Sequence, residues 1–222
     1  EDGAKLSKKL RNYTEPNEIF VKQGSDALRW YLMSANIVRG GDSRISDNGI
    51  DDVVRHVLLP IWNAYSFFTL YANVDGYKAK FRTESEHLLD RYLLAKTRQL
   101  VEAVDSKMES YDLPGATESI QGFIDALNNW YIRRSRDRFW EKRTKENEKE
   151  KEDAYDTLYT VLKIFSQVSA PFLPMLMEEI HTGLTGEPSV HLTDWPDPEI
   201  LPEDEALVAN MDRIRDAAST AL

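Results

Sequence analysis

The chain has 222 residues, enough for one to two domains with a buried core. It contains no cysteine, which excludes disulfides, thiolate metal sites and a cysteine nucleophile. Lys+Arg 28 against Asp+Glu 38 gives a net charge of −10, so any contact with nucleic acid must use a local basic patch.

Residues 1–15 read as a basic, polar loop that opens on Glu1-Asp2-Gly3-Ala4-Lys5 without Met or a targeting segment. The chain is expected to be an excised piece of a longer, cytoplasmic protein. Thr14-Glu15-Pro16 starts a helix that Gly24 stops. Ser25 or Asp26 caps the next, which carries Leu28, Tyr31 and Leu32 on one face. Gly40-Gly41-Asp42-Ser43 reads as a hinge. From Ser46 a long helix keeps Ile50, Val53, Val57, Ile61, Tyr65 and Phe68 together, with a kink expected at Pro60. Thr83-x-x-Glu86 has capping-box spacing and predicts the start of a third long helix. Pro114-Gly115 precedes a fourth, with Ile120, Phe123, Ile124, Leu127 and Tyr131 as its apolar stripe.

Residues 144–153 mix both signs of charge and read as a solvated loop or frayed helix end. A fifth helix carries Tyr155, Leu158, Leu162, Phe165 and Val168, and Ala170-Pro171-Phe172-Leu173-Pro174 bends the chain. Ser189-Val190-His191-Leu192 suits a short strand or extended segment. Residues 186–205 hold seven acidic and no Lys or Arg side chains, an exposed connection to a last helix over 205–220 that lacks partners. The expected fold is mainly α. A small mixed α/β unit (1–45) precedes an antiparallel helix bundle (46–185), then an acidic connection and the start of a C-terminal helix (186–222).

The four histidines lack ligand spacing, so no metal site is expected, and no run is long and apolar enough for a membrane span. Neither G-x-S-x-G nor a P-loop is present. Two segments carry chemistry. Lys5-Leu6-Ser7-Lys8-Lys9 clusters ammonium groups and a hydroxyl that can surround phosphate oxygens. The run Trp130-Tyr131-Ile132-Arg133-Arg134-Ser135-Arg136-Asp137-Arg138-Phe139-Trp140 is the second: residues 130–145 hold seven basic and two acidic side chains. At about 100° per residue with Tyr131 inward, Asn129, Arg133, Arg136, Trp140 and Arg143 share the outward face. Arg134 and Arg138 fall toward the core, where carboxylates would pair with them. Guanidinium and indole on one face suit phosphate pairing and base stacking, and a salt-bridged surface is the other reading.

Taken together these segments resemble a known family. Lys5-Leu6-Ser7-Lys8-Lys9 is similar to the KMSKS loop of class I aminoacyl-tRNA synthetases, with Leu6 for Met and Lys9 for the last Ser. Gly24-Ser25-Asp26-Ala27-Leu28-Arg29 resembles the helix after that loop. Asn129-Trp130-Tyr131-Ile132-Arg133-Arg134-Ser135-Arg136, Leu58-Leu59-Pro60-Ile61-Trp62-Asn63 and Val190-His191-Leu192-Thr193-Asp194-Trp195-Pro196 resemble the isoleucyl branch. The resemblance implies a stem-contact unit and an anticodon-binding bundle of a parent that activates isoleucine with ATP and transfers it to tRNA(Ile). It implies Lys5, Ser7 and Lys8 as catalytic positions of the full enzyme, with Lys8 on the ATP phosphates. Arg133, Arg136, Trp140 and Arg143 are the expected tRNA-binding residues. The implied partners are tRNA(Ile) and the catalytic and editing domains of the same polypeptide. No His-x-Gly-His signature occurs, so this piece alone is expected to be inactive. The alternative is a synthetase-like bundle that docks a protein through its acidic tail.

Overall fold

The computed structural model describes residues 13–35, 38, 40–41 and 45–220, and among these there is no strand. Lys5, Ser7 and Lys8, and Asp42 and Ser43 of the expected hinge, lie outside the described residues.

Two short helices come first, α1 (Pro16–Lys22) and α2 (Ser25–Ser34). Pro16 occupies the first turn of α1, where its missing N–H has no partner to lose. Gly24 ends α1 at φ 87°, a setting open to a residue without Cβ, and its N–H returns to the Ile19 carbonyl. Asp26 does not cap its own helix. Its buried carboxylate accepts from the N–H groups of Leu176 (2.8 Å) and Met175 (3.4 Å), and so caps the N-terminus of α9 (Pro174–Thr185). Arg29 adds two hydrogen bonds to the Pro171 carbonyl, at 2.7 and 3.0 Å. Ala27 and Trp30 enter the same core as the long helices, with Trp30 edge-on to Phe172 at 6.2 Å.

α3 (Asp47–Val53), a π turn (Val54–Leu58) and α4 (Leu59–Val74) run on without a break. Ser46 caps the start by accepting from Gly49 N–H at 3.2 Å, and a Cβ on Gly49 would lie 2.6 Å from the Tyr31 ring, so glycine lets α2 and α3 approach. The irregularity expected at Pro60 is this π turn. The Leu59 N–H reaches back five residues to Val54, and Pro60 then sits in the first turn of α4, where it owes no hydrogen bond.

The Thr83 capping box does not form. α5 (Leu88–Glu109) begins later, capped by His87, whose Nδ1 accepts from Leu89 N–H at 3.3 Å. The residues before it are held extended against α8 (Glu148–Ser169). Lys80 and Arg82 donate their backbone N–H groups to Asp156 and Thr160, each at 2.8 Å, which leaves this segment unavailable for a helical turn. α6 (Leu113–Asp125) packs back along α5 after a short connection and passes through a second π turn (Ala126–Ile132) into α7 (Arg133–Trp140).

Beyond α9 the expected strand at 189–192 is a 3₁₀ turn, Val190–Leu192, closed by Ser189 Oγ accepting from His191 N–H. The last helix, α10 (Glu205–Thr220), is not without partners. Val208 and Met211 bury against Tyr92, Ala95 and Trp130, and Asp212 accepts from Tyr92 at 2.8 Å. Arg215 reaches Asp125 at 2.6 Å.

Candidate nucleic-acid interface

The basic run is displayed by α7. Tyr131, Ser135 and Phe139 recur at helical spacing and are buried, so their face is the inner one. Phe139 meets Phe67 at 5.0 Å and Tyr155 at 5.2 Å, both edge-on, which seats α7 against α4 and α8. Arg133, Arg134 and Arg136 are exposed. None of the three forms an ion pair with a described carboxylate. Trp140 is 53% exposed, and the Arg136 guanidinium lies over its ring at 5.6 Å.

Arg138 takes the inward role expected of it. Its guanidinium grips Asp90 with two bonds, at 2.7 and 2.8 Å, and reaches the Glu150 carbonyl at 3.2 Å. Burial alone would lower its pKa, and the bonds and charge of Asp90 more than reverse that. Tyr131 donates to the same carboxylate at 2.8 Å, and burial, followed by the Asp90 charge, raises its phenol well above the ordinary value.

Two expectations are corrected. Arg134 is not paired inside. It stacks over the Trp130 indole, one turn earlier, at 4.1 Å and stays exposed. The buried positions Tyr131, Ser135 and Phe139 centre the inner face of α7 near Ser135 rather than on Tyr131, which leaves Arg134 to one side of it. Arg143 is not free on the outward face. It lies beyond the end of α7, half-buried, bound to Glu148 at 2.8 Å and to Glu152, and over the Tyr77 ring at 5.3 Å.

Sequence reasoning missed two supports. Trp130 is buried between the Arg134 guanidinium and the Val208–Met211 side of α10, so the C-terminal helix backs the basic face. Lys151, inside the run read as solvated, is only 2% exposed. Its ammonium donates to the carbonyls of Phe139 (2.9 Å) and Glu141 and pairs with Asp75 at 2.8 Å, so it holds the C-terminal end of α7. The only sequence signal for it is the apolar spacing that continues backwards from Leu158 through Tyr155.

Among the described residues no group of acidic or histidine side chains could hold a metal ion, and no helix is long and apolar enough to cross a membrane. The model for the anticodon-binding domain of tRNA ligase matches residues 90–221, and that for class I tRNA synthetases (I, L, M and V) matches residues 1–45. The chain is 53% identical to an isoleucine–tRNA ligase of Leifsonia xyli over 221 residues, 100% of this chain and 20% of the relative. It is 51% identical to that of Mycobacterium tuberculosis over 220 residues, 99% of this chain and again 20% of the relative. The chain thus spans about one fifth of the length of these relatives. In fold it is similar to the LeuRS of Agrobacterium radiobacter, solved as a ternary complex with tRNA and LeuAMS. The TM-score is 0.66 at 18% identity, over 93% of this chain and 23% of that one.

Proposed function

The chain belongs to the family of anticodon-binding domains of tRNA ligases, and from that premise we propose that it is the tRNA-binding part of an isoleucine–tRNA ligase. The observation that carries the contact surface is the α7 face. It presents Arg133, Arg134 and Arg136 without a described carboxylate partner, beside a half-exposed Trp140, on a chain of net charge −10. Arg133 and Arg136 pair with phosphates, and Trp140 offers a ring on which an unpaired base stacks. Arg143 stands at the edge with its charge already matched and contributes least.

The parent ligase activates isoleucine with ATP and transfers it to tRNA(Ile) in the cytoplasm. Lys5, Ser7 and Lys8 are this chain's share of the ATP site, Lys8 on the phosphates, and the catalytic and editing domains of the same polypeptide are its neighbours. Docking of a protein on the acidic tail is the weaker reading, because much of that charge is used internally. Glu187 binds Lys163, Glu203 binds Arg98 and Asp204 binds Arg91.

The test is a titration of isoleucine tRNA across a range of salt. In the Arg133→Ala, Arg136→Ala double variant each lost phosphate contact lowers the log–log salt slope by roughly 0.7 to 0.9. Trp140→Ala weakens binding by about 1–3 kcal/mol with little change in slope. Unchanged affinity and slope in the double variant would remove α7 from the tRNA site.

A further inference from the structure

We infer that Asp90 is a positioning residue for the RNA-binding face, acting by setting the rotation of α7. The inference rests on the tRNA-binding reading above. Asp90 is fully buried and carries a negative charge, so it cannot itself meet a phosphate. Its carboxylate gathers four side-chain donors from two stretches of chain. Two come from Arg138 at 2.7 and 2.8 Å, one from Tyr131 at 2.8 Å and one from Ser85 at 2.9 Å.

Tyr131 and Arg138 are seven residues apart, two helical turns, and so share one face. Binding both to a single carboxylate on α5 leaves one rotation for the helix. On the opposite side, at i, i+3 and i+7, come Arg133, Arg136 and Trp140. The constraint is needed because this helix is poorly phased by its own sequence. It has arginine at 133, 134, 136 and 138, and it follows a π turn. Other rotations would bring a different arginine to an inner carboxylate and withdraw another from solvent. Arg138 is the one whose side chain is 9% exposed, and its second anchor on the Glu150 carbonyl ties the same rotation to α8.

The charge and the position make opposite demands on an experiment. Asp90→Asn removes one negative charge, which by long-range electrostatics alone would tighten tRNA binding. A role in folding alone would lower the melting temperature and leave the affinity of the folded protein unchanged. Positioning requires weaker binding by folded protein, because the amide turns a donor toward the Arg138 guanidinium and the two-bond grip is lost.

The experiment uses the 222-residue chain and an isoleucine tRNA transcript, titrated well below the melting temperature with helix content checked by circular dichroism. Asp90→Asn is expected to weaken binding about tenfold and to lower the salt slope toward that of the Arg133→Ala, Arg136→Ala variant. Arg138→Lys keeps the charge but loses the fork, and shifts both readouts in the same direction by a smaller factor. If Asp90→Asn does not fold, Arg138→Lys and Ser85→Ala carry the test. Unchanged or tighter binding in the folded variants overturns the positioning role. An arginine double variant that binds as wild type overturns instead the tRNA-binding reading of α7. Weakening by the double variant without weakening by the Asp90 and Arg138 variants overturns only the positioning role.

Discussion

α7 and the first turns of α8 adjoin in sequence and are both dense in charge, yet the protein uses that charge in opposite ways. On α7, Arg133, Arg134 and Arg136 stand in solvent. On α8, Lys151, Asp153 and Asp156 are buried. The number of charges does not separate the two; the surroundings do. Residue 151 faces two backbone carbonyls at the end of α7 and the carboxylate of Asp75 at the end of α4, an acceptor for each proton of the ammonium. Asp156 faces the Lys80 N–H and the Tyr77 hydroxyl, and Arg82 pairs with both Asp153 and Asp156. Charge enters an interior where an opposite charge or a set of hydrogen-bonding groups meets it, and is otherwise left outside. Inside the described bundle α7 meets such a partner in Asp90, which takes one of its arginines, Arg138, beside Tyr131 and Ser85.

Three measurements press on this contrast. The largest effect is expected from Lys151→Ala, which removes the ammonium paired with Asp75 and leaves the carbonyls of Phe139 and Glu141, at the end of α7, without this donor. Breaking a buried pair from one side costs about 3–5 kcal/mol. Urea unfolding reads it, and a loss below about 1 kcal/mol would put Lys151 in the same class as its solvated neighbours.

Acid is expected to act next, through the same pair. Burial would raise the Asp75 pKa, but hydrogen bonds from Lys151 and Tyr155, with the charges of Lys151 and Arg143, hold it below its ordinary value of 3.8. A carboxyl lowered on folding contributes stability that is present above the unfolded value and is lost as pH falls through the folded one. Unfolding free energy should therefore drop on acidification below 3.8. In Asp75→Asn that slope should be shallower by up to one proton, about 1.4 kcal/mol per pH unit. Identical slopes in the two proteins would mean that Asp75 titrates alike folded and unfolded.

The smallest effect is expected from Lys149→Ala, two residues from Lys151. Its side chain is 74% exposed and its partner Glu86 is 91% exposed. Stability should change by no more than about 0.5 kcal/mol. A loss approaching that of Lys151→Ala would erase the distinction between the two lysines.

Much of the fold is legible in the sequence because long helices with one apolar face declare themselves by period. Ile120, Phe123, Ile124, Leu127 and Tyr131 are buried as their spacing requires, as are Tyr155, Leu158, Leu162, Phe165 and Val168. At the candidate site the wheel placed Arg133, Arg136 and Trp140 outward and Arg138 inward, and it failed at Arg134 and Arg143. The two failures have separate causes: the inner face of α7 is centred near Ser135, which leaves Arg134 off it, and α7 ends before Arg143. Local signals also failed where distant groups competed for the same atoms. Asp26, well placed to cap α2, caps α9, and the Thr83 box loses to α8, whose side chains hold the preceding backbone extended.

By itself the sequence determined the helical class, most of the inward stripes and the local excess of positive charge, since each of these is a sum over neighbouring residues. Only the tertiary structure decided which charges are spent and which are offered. Whether Lys151 is buried, whether Arg138 is gripped and whether α10 backs Trp130 depend on acceptors and apolar faces far along the chain. Asp75 lies 76 residues from Lys151, Asp90 lies 48 from Arg138, and Val208 lies 78 from Trp130. Electrostatic and hydrogen-bond energies fall steeply with distance, so such pairings cannot be read until folding has brought the partners within a few ångströms.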